Sequence, residues 1–517
     1  MKSSDASFGT LAPTDELNRE LLARVHPPGR RNPAPKACYD LVVLGAGTAG
    51  LVSAAAAAGL GAKVALIERH LMGGDCLNFG CVPSKALIAA ARRVAAVDTG
   101  AQFGVHTPSP TVHFAETMEH LRRVRLELSV DDSVARFTRL GVDVFLGNAR
   151  FIDKGRITVA ETVLTFRRAI IATGTRPAVP SIPGLADAEY LTNETVFSLT
   201  EQPKQLAIIG AGPIGCELAQ AFARLGTDVC LFETEHGVLP KDDRDAAAIV
   251  RDALVRDGVQ LYCCGRNLRV LPGHGGLPWR IEADSHGLRA SFDTERILVA
   301  TGRVPNIDEL NLAAVGVEYA SHGILVDDFL QTTSSGIFAA GDVCMKERFT
   351  HAADFSARIA VQNALFALGP IGRKRASSLV IPRATYTTPE LAQIGPTAEE
   401  LTEKGTKFTT FTKPMAEVHR ARLDGTVEGF VRVHTAQGSD RILGATLVAD
   451  QAGELVSTLS LAMTAKIGLK KLAGGIAPYP THTEVIRQMG DLYNRSRLTE
   501  RAQMVLRLLL AIHRRRD

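Results

Sequence analysis

The chain first shows order at residues 39–44, where YDLVVL forms an unbroken apolar run that stops at Gly45-Ala46-Gly47-Thr48-Ala49-Gly50. A run this short and this apolar predicts a strand covered on both faces, as in a parallel sheet. An alanine-rich stretch containing Ala54 to Ala58 predicts a helix, and a second apolar run, Lys63 to Ile67, closes on Glu68. Strand, glycine turn, helix and strand compose one βαβ unit. The same order then recurs: Gln205 to Ile209 enters Gly210-Ala211-Gly212-Pro213-Ile214-Gly215, followed by a helical stretch and by Val229 to Phe232, closing on Glu233. Gly45 precedes Glu68 by 23 residues, and Gly210 precedes Glu233 by the same 23. Each half ends in a similar turn, Ala172-Thr173-Gly174-Thr175-Arg176-Pro177 in one and Ala300-Thr301-Gly302-Arg303-Val304-Pro305 in the other. A device repeated whole, at one spacing, predicts a duplicated architecture.

The remaining patterns set the organisation. Residues 1–37 are polar, with Pro27, Pro28, Pro33 and Pro35 near the end, and read as a tail with a helical stretch from Asp15 to Val25. Residues 38–190 and 306–376 are assigned to the first nucleotide-binding domain and 191–305 to the second. The apolar run Ile337 to Ala340 delivers Gly341 and Asp342, an acid placed either to hold a polyol or to cap the next helix. Residues 377–490 alternate strand patterns (Phe430 to His434, Ile442 to Val448) with a helix from Ala452 to Met463, which predicts a separate α+β domain. Residues 491–517 read as an amphipathic helix with Leu498, Val505, Leu506, Leu508, Leu509, Leu510 and Ile512, closed by Arg514, Arg515 and Arg516. A helix packed on the chain, its arginines at the negative end of the dipole, is the reading taken. A peripheral membrane or partner contact is the weaker alternative, because one short basic helix attaches weakly. The fold class expected is α/β, with two Rossmann-like domains and a C-terminal α+β domain.

Composition narrows the function. A length of 517 residues suits a multidomain globular protein. The 59 Lys+Arg against 55 Asp+Glu are interspersed, so no nucleic-acid footprint is expected. No apolar stretch is long enough to span a bilayer, and the first residues lack the apolar block of a secretory signal, so a cytoplasmic location is expected. Eight Cys are too few for a secreted disulfide scaffold.

The glycine turns carry the chemistry. They permit a tight turn, they let a pyrophosphate approach free N–H groups at a helix start, and the closing acid takes a ribose hydroxyl. Two dinucleotides are therefore expected. Between the first βαβ unit and the next helix stands Gly73-Gly74-Asp75-Cys76-Leu77-Asn78-Phe79-Gly80-Cys81-Val82-Pro83-Ser84-Lys85. Residues five apart in a regular helix point about 140° apart, too divergent for a disulfide, so the helix must break there. Gly80 supplies the freedom, and Pro83 suits the first position of a helix through Ala86 to Ala96, leaving Cys81 ahead of a positive helix end that favours a thiolate. A thiol pair that opens and closes beside a dinucleotide suits two-electron transfer. A zinc site would need a second pair in register, and Cys263 with Cys264 are adjacent in the other half, so no metal site is expected. Cys38, Cys216, Cys230, Cys263, Cys264 and Cys344 read as small hydrophobes in or beside apolar segments.

Taken in order, the two glycine motifs, the Cys-x4-Cys-Val-Pro-Ser-Lys stretch, the two ATG turns and Ala339-Ala340-Gly341-Asp342-Val343 resemble the flavin-dependent pyridine nucleotide disulfide oxidoreductases over about residues 38–490. Gly73 to Lys85 is most similar to mercuric reductases and dihydrolipoamide dehydrogenases. The resemblance implies FAD against Gly45, Gly47, Gly50, Glu68, Gly74, Lys85, Thr173, Gly174, Gly341 and Asp342. It implies a nicotinamide cofactor against Gly210, Gly212, Gly215, Glu233 and Gly302. By the same resemblance Cys81 faces the flavin, Cys76 attacks the substrate, Lys85 pairs with Glu217, and the enzyme is a homodimer acting on a small-molecule electron acceptor. Glu233 should repel a 2′-phosphate and so favours NADH, although Lys241 and Arg244 follow closely.

Two departures from the family stand out. Its dyad of His and Glu near the C-terminus becomes Tyr479 and Glu484 here, and a phenol near pKa 10 is a poor base. Mercuric reductases share that Tyr but carry a C-terminal Cys pair, whereas no Cys follows Cys344. The expectation is a mercuric reductase-like core passing hydride from NAD(P)H through FAD to Cys76 and Cys81, with Tyr479 and Glu484 acting across the dimer. The alternatives are a flavin reductase of quinones, metal ions or oxygen, a dihydrolipoamide dehydrogenase-type enzyme, and a redox-sensing flavoprotein docking through its C-terminal helix.

Overall fold

A computed structural model describes residues 11–514, so the expected Arg515 and Arg516 lie outside the described residues. The chain divides into two compact units, Met1–Glu235 with Asp257–Leu379 and His236–Arg256 with Val380–Asp517.

The first unit holds both glycine motifs. Its larger sheet runs in parallel from Asp143–Leu146 through Val64–Glu68, Tyr39–Leu44 and Thr162–Ile171 to Ile337–Ala339. The YDLVVL run is apolar throughout because both of its faces are covered. Leu41 and Val43 pack with the helices Thr48–Gly59 and Thr350–Val361, while Val42 and Leu44 pack with Phe151 and Ile157 on the opposite side. Alanines at 49, 54, 57, 353, 357 and 360 lie in the first of these clusters, which lets the two helices approach closely. The helix Glu16–Val25, capped by Asp15, also belongs here: Leu21 and Val25 are fully buried, and Arg122 pairs with Asp15 at 2.7 Å. Part of the polar N-terminal stretch is thus core.

The second parallel sheet has the order Gln260–Tyr262, Asp228–Phe232, Gln205–Ile209, Arg296–Val299, Tyr190–Leu191. An antiparallel meander of Arg266–Pro272, Trp279–Ser285 and Leu288–Thr294 stands between its last two long strands in sequence. The two ATG turns meet in space, with Thr175–Pro177 pairing antiparallel to Arg303–Pro305.

The second unit is built on a five-stranded antiparallel sheet in the order Pro382–Thr385, Glu390–Ile394, Ile442–Ala449, Phe430–Ala436, Phe408–Pro414. The helices Ala452–Thr464 and Glu484–Ser496 share its core through Leu455, Leu459, Val485, Ile486 and Met489. Helix Arg244–Arg256 joins this unit through Asp243 and Asp245, which hold Arg432 at 2.9 and 2.8 Å.

The C-terminal helix Glu500–His513 differs from expectation. None of its described residues is buried, and Met504, Val505, Leu508 and Leu509 are among its exposed apolar side chains. Among the described residues it buries no face against the chain, unlike the packed helix expected. Among the described residues no helix is long and apolar enough to cross a membrane.

Candidate active site

Cys76 lies in the short helix Gly74–Asn78, and Cys81 opens the helix Cys81–Asp98. The break falls at Phe79 and Gly80, as the spacing requires, and a Cβ at Gly80 would sit 2.9 Å from the Asp75 carbonyl oxygen. The second helix begins two residues earlier than Pro83 predicts, so Cys81 is its first residue rather than the residue ahead of it. Its sulfur therefore sits within the positive helix end.

The two thiols hydrogen-bond to each other. The Cys81 thiol is lowered to about 6, chiefly because the Cys76 thiol donates to its sulfur, helped by Thr350 and by the Lys85 ammonium. The Cys76 thiol is raised, by that same hydrogen bond and by burial. Thr350 Oγ1 lies 3.2 Å from Cys81 Sγ, at the start of a helix 269 residues away in sequence. In the dithiol state the charge belongs to Cys81.

Lys85 and Glu217 meet as expected, Nζ to Oε2 at 2.8 Å, with Glu217 buried in helix Pro213–Arg224. This ion pair joins the thiol-bearing helix to the helix that follows the second glycine motif. A polar network holds the thiol segment from the other side. Asn193 donates to Asp75 Oδ1 at 2.9 Å, Arg303 lies 3.3 Å from Asp75 Oδ2, and Arg303 Nε donates to Thr175 Oγ1 at 2.7 Å. Thr175 in turn donates to Asp342 Oδ2 at 3.1 Å, and burial pushes the Asp342 carboxyl up. Asp342 caps no helix, since the next one, Thr350–Val361, begins after Phe349.

The glycines test whether dinucleotides fit. Gly45 and Gly210 take φ of +97° and +106°, and a Cβ at Gly50 or Gly215 would lie 1.7 or 1.9 Å from the Gly45 or Gly210 carbonyl oxygen. These four close the turns. Gly47 and Gly212 instead stand at the N-caps of helices Thr48–Gly59 and Pro213–Arg224, where a Cβ would meet nothing nearer than 3.7 Å at Gly47 and nothing within 4 Å at Gly212. Gly174 and Gly302 are likewise open, with φ of +64° and +130° and nothing within 4 Å. Open backbone at a helix start is what a pyrophosphate requires. Gly74 has another use: a Cβ there would come 2.5 Å from Gly47 Cα, so the thiol segment abuts the first phosphate turn backbone to backbone.

The closing acids are held alike. Glu68 accepts from the N–H groups of Ala46 at 2.6 Å and His70 at 2.7 Å, and Glu233 from those of Ala211 at 2.6 Å and Thr234 at 2.7 Å. Burial pushes the Glu68 carboxyl up against the pull of those donors. Glu233, Gly210, Thr301 and Gly265 line a cavity of about 40 Å³.

In the second unit Tyr479 is 70% exposed, and its hydroxyl lies 3.1 Å from His419 Nδ1. Glu484 is the first residue of its helix; Oε1 accepts from Arg487 at 3.3 Å, while Oε2 is buried with no hydrogen-bond partner among the described residues. His482 is engaged with Asp424 at 3.1 Å. Thr350, Asp75, Asn193, Arg303 and His419 escape sequence reasoning because each acts on a residue far from it in the chain. Of these, Arg303 stands in the second ATG turn and Asp75 in the thiol stretch Gly73 to Lys85.

Comparison with known proteins bears on the same residues. The family described as pyridine nucleotide-disulphide oxidoreductase matches residues 39–357, and its dimerisation domain matches residues 381–489. A mercuric reductase of Lysinibacillus sphaericus is 34% identical over 450 residues, 87% of this chain and 81% of that protein. A dihydrolipoyl dehydrogenase of Bacillus subtilis is 32% identical over 461 residues, covering 88% and 96%. Among solved structures, the HOCl-induced flavoprotein disulfide reductase RclA from Escherichia coli superposes with a TM-score of 0.76 at 26% identity, covering 88% of this chain and 100% of that one. With its repeated glycine turns, its thiol pair and its dimerisation domain, the chain belongs to the pyridine nucleotide-disulphide oxidoreductases, enzymes that use FAD and NAD(P)H to reduce a disulfide.

Proposed function

We propose that reducing equivalents leave this enzyme through Cys76 and Cys81 to a small thiol-reactive acceptor. The observation that carries the reading is the Cys81 sulfur, held as a thiolate by Cys76, Thr350, Lys85 and the helix start. Bound FAD, against Gly47, Glu68, Thr173, Gly174 and Asp342, supplies two-electron passage from NAD(P)H to the cystine. Once the cystine is open, the Cys76 thiolate attacks one sulfur of an acceptor disulfide and expels the other as a thiolate. Cys81 then attacks Cys76, closing the enzyme disulfide and expelling the second thiolate, so the acceptor leaves as two thiols carrying the electron pair. Before that attack Cys76 must lose its proton. In a homodimer the partner subunit's Tyr479 and Glu484 take it in this reading, with the contact of Tyr479 with His419 giving the phenol an outlet. A reductase of this kind works in a reducing compartment, the cytoplasm.

NADH is the proposed donor. The Glu233 carboxylate is fixed by three backbone N–H groups at the edge of its pocket, and Arg244, a cation that follows it in sequence, already donates to the carbonyls of Leu239 and Asp242. Dihydrolipoamide is disfavoured as substrate because Tyr479 stands where that reaction uses His.

The test is Cys76→Ser in the FAD-loaded enzyme. Turnover of an aromatic disulfide with NADH should fall about 10²-fold or more, while anaerobic NADH still reduces the flavin. Unchanged disulfide and menadione turnover in Cys76→Ser would sink the proposal and leave direct reduction by the flavin.

A further inference from the structure

A second sulfur cluster lies outside the thiol pair. Strand Gln260–Tyr262 ends at the edge of the second parallel sheet and delivers Cys263 and Cys264, both half-exposed, into the loop beside Glu233. The two sulfurs lie within 4.8 Å of each other. His286, at the tip of the hairpin joining Trp279–Ser285 to Leu288–Thr294, brings Nε2 to 3.3 Å from Cys263 Sγ. The sequence reading of these cysteines as packed hydrophobes therefore does not describe them; Cys216 and Cys230, both buried, and Cys344, packed against both core clusters of the larger sheet, do fit it.

The surroundings fix the donors. Ser285 Oγ donates to the Cys263 carbonyl at 2.7 Å, clamping the hairpin to the loop. Cys264 and Gly265 donate their N–H groups to the carbonyls of Glu235 and Glu233 at 2.9 and 2.8 Å. Cys264 adopts left-handed backbone at φ +55° without gaining core packing, being half-exposed, while His286 at φ +50° takes its conformation from the two-residue turn it forms with Gly287.

We infer that the vicinal thiols Cys263 and Cys264 form a binding site for a soft metal cation at the lip of the nucleotide pocket, and that His286, which meets Cys263, turns in as its third donor. Two thiolates and one imidazole select Cu(I), Zn(II), Cd(II) or Hg(II) over hard cations, and two of the donors being half-exposed leaves a route of entry and room for a further ligand. The site does not depend on the proposed acceptor and uses none of the redox residues.

Cadmium is a suitable probe, with the FAD-loaded full chain carrying Cys76→Ser and Cys81→Ser so that the redox pair cannot contribute. One equivalent of Cd(II) should raise the ultraviolet thiolate-to-cadmium absorption to saturation. Adding Cys263→Ser and Cys264→Ser should abolish it, and His286→Ala should weaken binding by about tenfold or more. In the unsubstituted enzyme, Cd(II) should slow iodoacetamide alkylation of Cys263 and Cys264 about tenfold, read peptide by peptide. A band of full intensity without those two cysteines, an affinity indifferent to His286, or alkylation rates unmoved by Cd(II) would each overturn the site.

Discussion

Each of the two redox sulfurs has a distinct electrostatic environment, and that difference is measurable. Cys81 is lowered to about 6 from an ordinary thiol value of 9, so in the reduced enzyme its thiolate persists through neutral pH and is lost as pH falls through about 6. Alkylation of Cys81 by iodoacetamide, followed by mass spectrometry across pH 4 to 10, should show its midpoint near 6, with Cys76 slow throughout. Thr350→Val removes one of the groups stabilising the thiolate, so the midpoint should move up. A midpoint near 9 in the unsubstituted enzyme would contradict the assignment of the thiolate to Cys81. Lys85 contributes less than Cys76 or Thr350. Its closer engagement is with Glu217, where it ties two helices together as well as facing the thiols.

Among the structural elements, the glycine turns separate two demands that one motif combines. Gly50 is needed for folding: an added methyl would lie 1.7 Å from the Gly45 carbonyl, so Gly50→Ala must open the turn. A loss of about 2–4 kcal/mol and of bound flavin is expected, read by thermal melting and by flavin absorbance. Gly212 has no atom within 4 Å of where a Cβ would stand. Gly212→Ala should therefore melt within about 1 kcal/mol of the parent and yet bind NADH markedly more weakly. Equal damage to folding and binding in both variants would refute the distinction. The C-terminal helix makes the opposite case. Because no described residue of Glu500–His513 is buried, ending the chain at Leu498 should leave the melting temperature and the flavin content unchanged. A fall of several degrees would show that the helix is held by contacts within the enzyme.

For the whole molecule, the thiols lie in the first unit and Tyr479 and Glu484 in the second, on a chain whose second family match is a dimerisation domain. If each site combines one protomer's thiols with the partner's acid, mixed dimers will recover activity that neither parent has. Co-expressing Cys76→Ser with Glu484→Ala chains should restore about a quarter of parental turnover, since random pairing makes half the dimers mixed and each mixed dimer has one intact site. Recovery indistinguishable from zero would place all four residues within one chain's site. The buried, unpartnered Oε2 of Glu484 supports the dimer reading, because such an atom is costly unless something beyond its own chain engages it.

Local sequence determined those features that depend on contacts within a few dozen residues. The two βαβ units, the acids closing them and the helix break at Gly80 were legible, because turn chemistry, hydrophobic period and motif spacing act over short stretches or are repeated whole; the Lys85–Glu217 pair, 132 residues apart, was foreseen only through the resemblance to the family. Tertiary structure alone decided the rest. Thr350 reaches Cys81 across 269 residues, Arg303 connects Asp75 with Thr175, His419 meets Tyr479, and a hairpin tip brings His286 to Cys263. Such pairings follow from how sheets and hairpins stack, and no local pattern encodes them. The same holds in reverse for the apolar C-terminal helix, whose periodicity predicts a buried face although none of its described residues is buried.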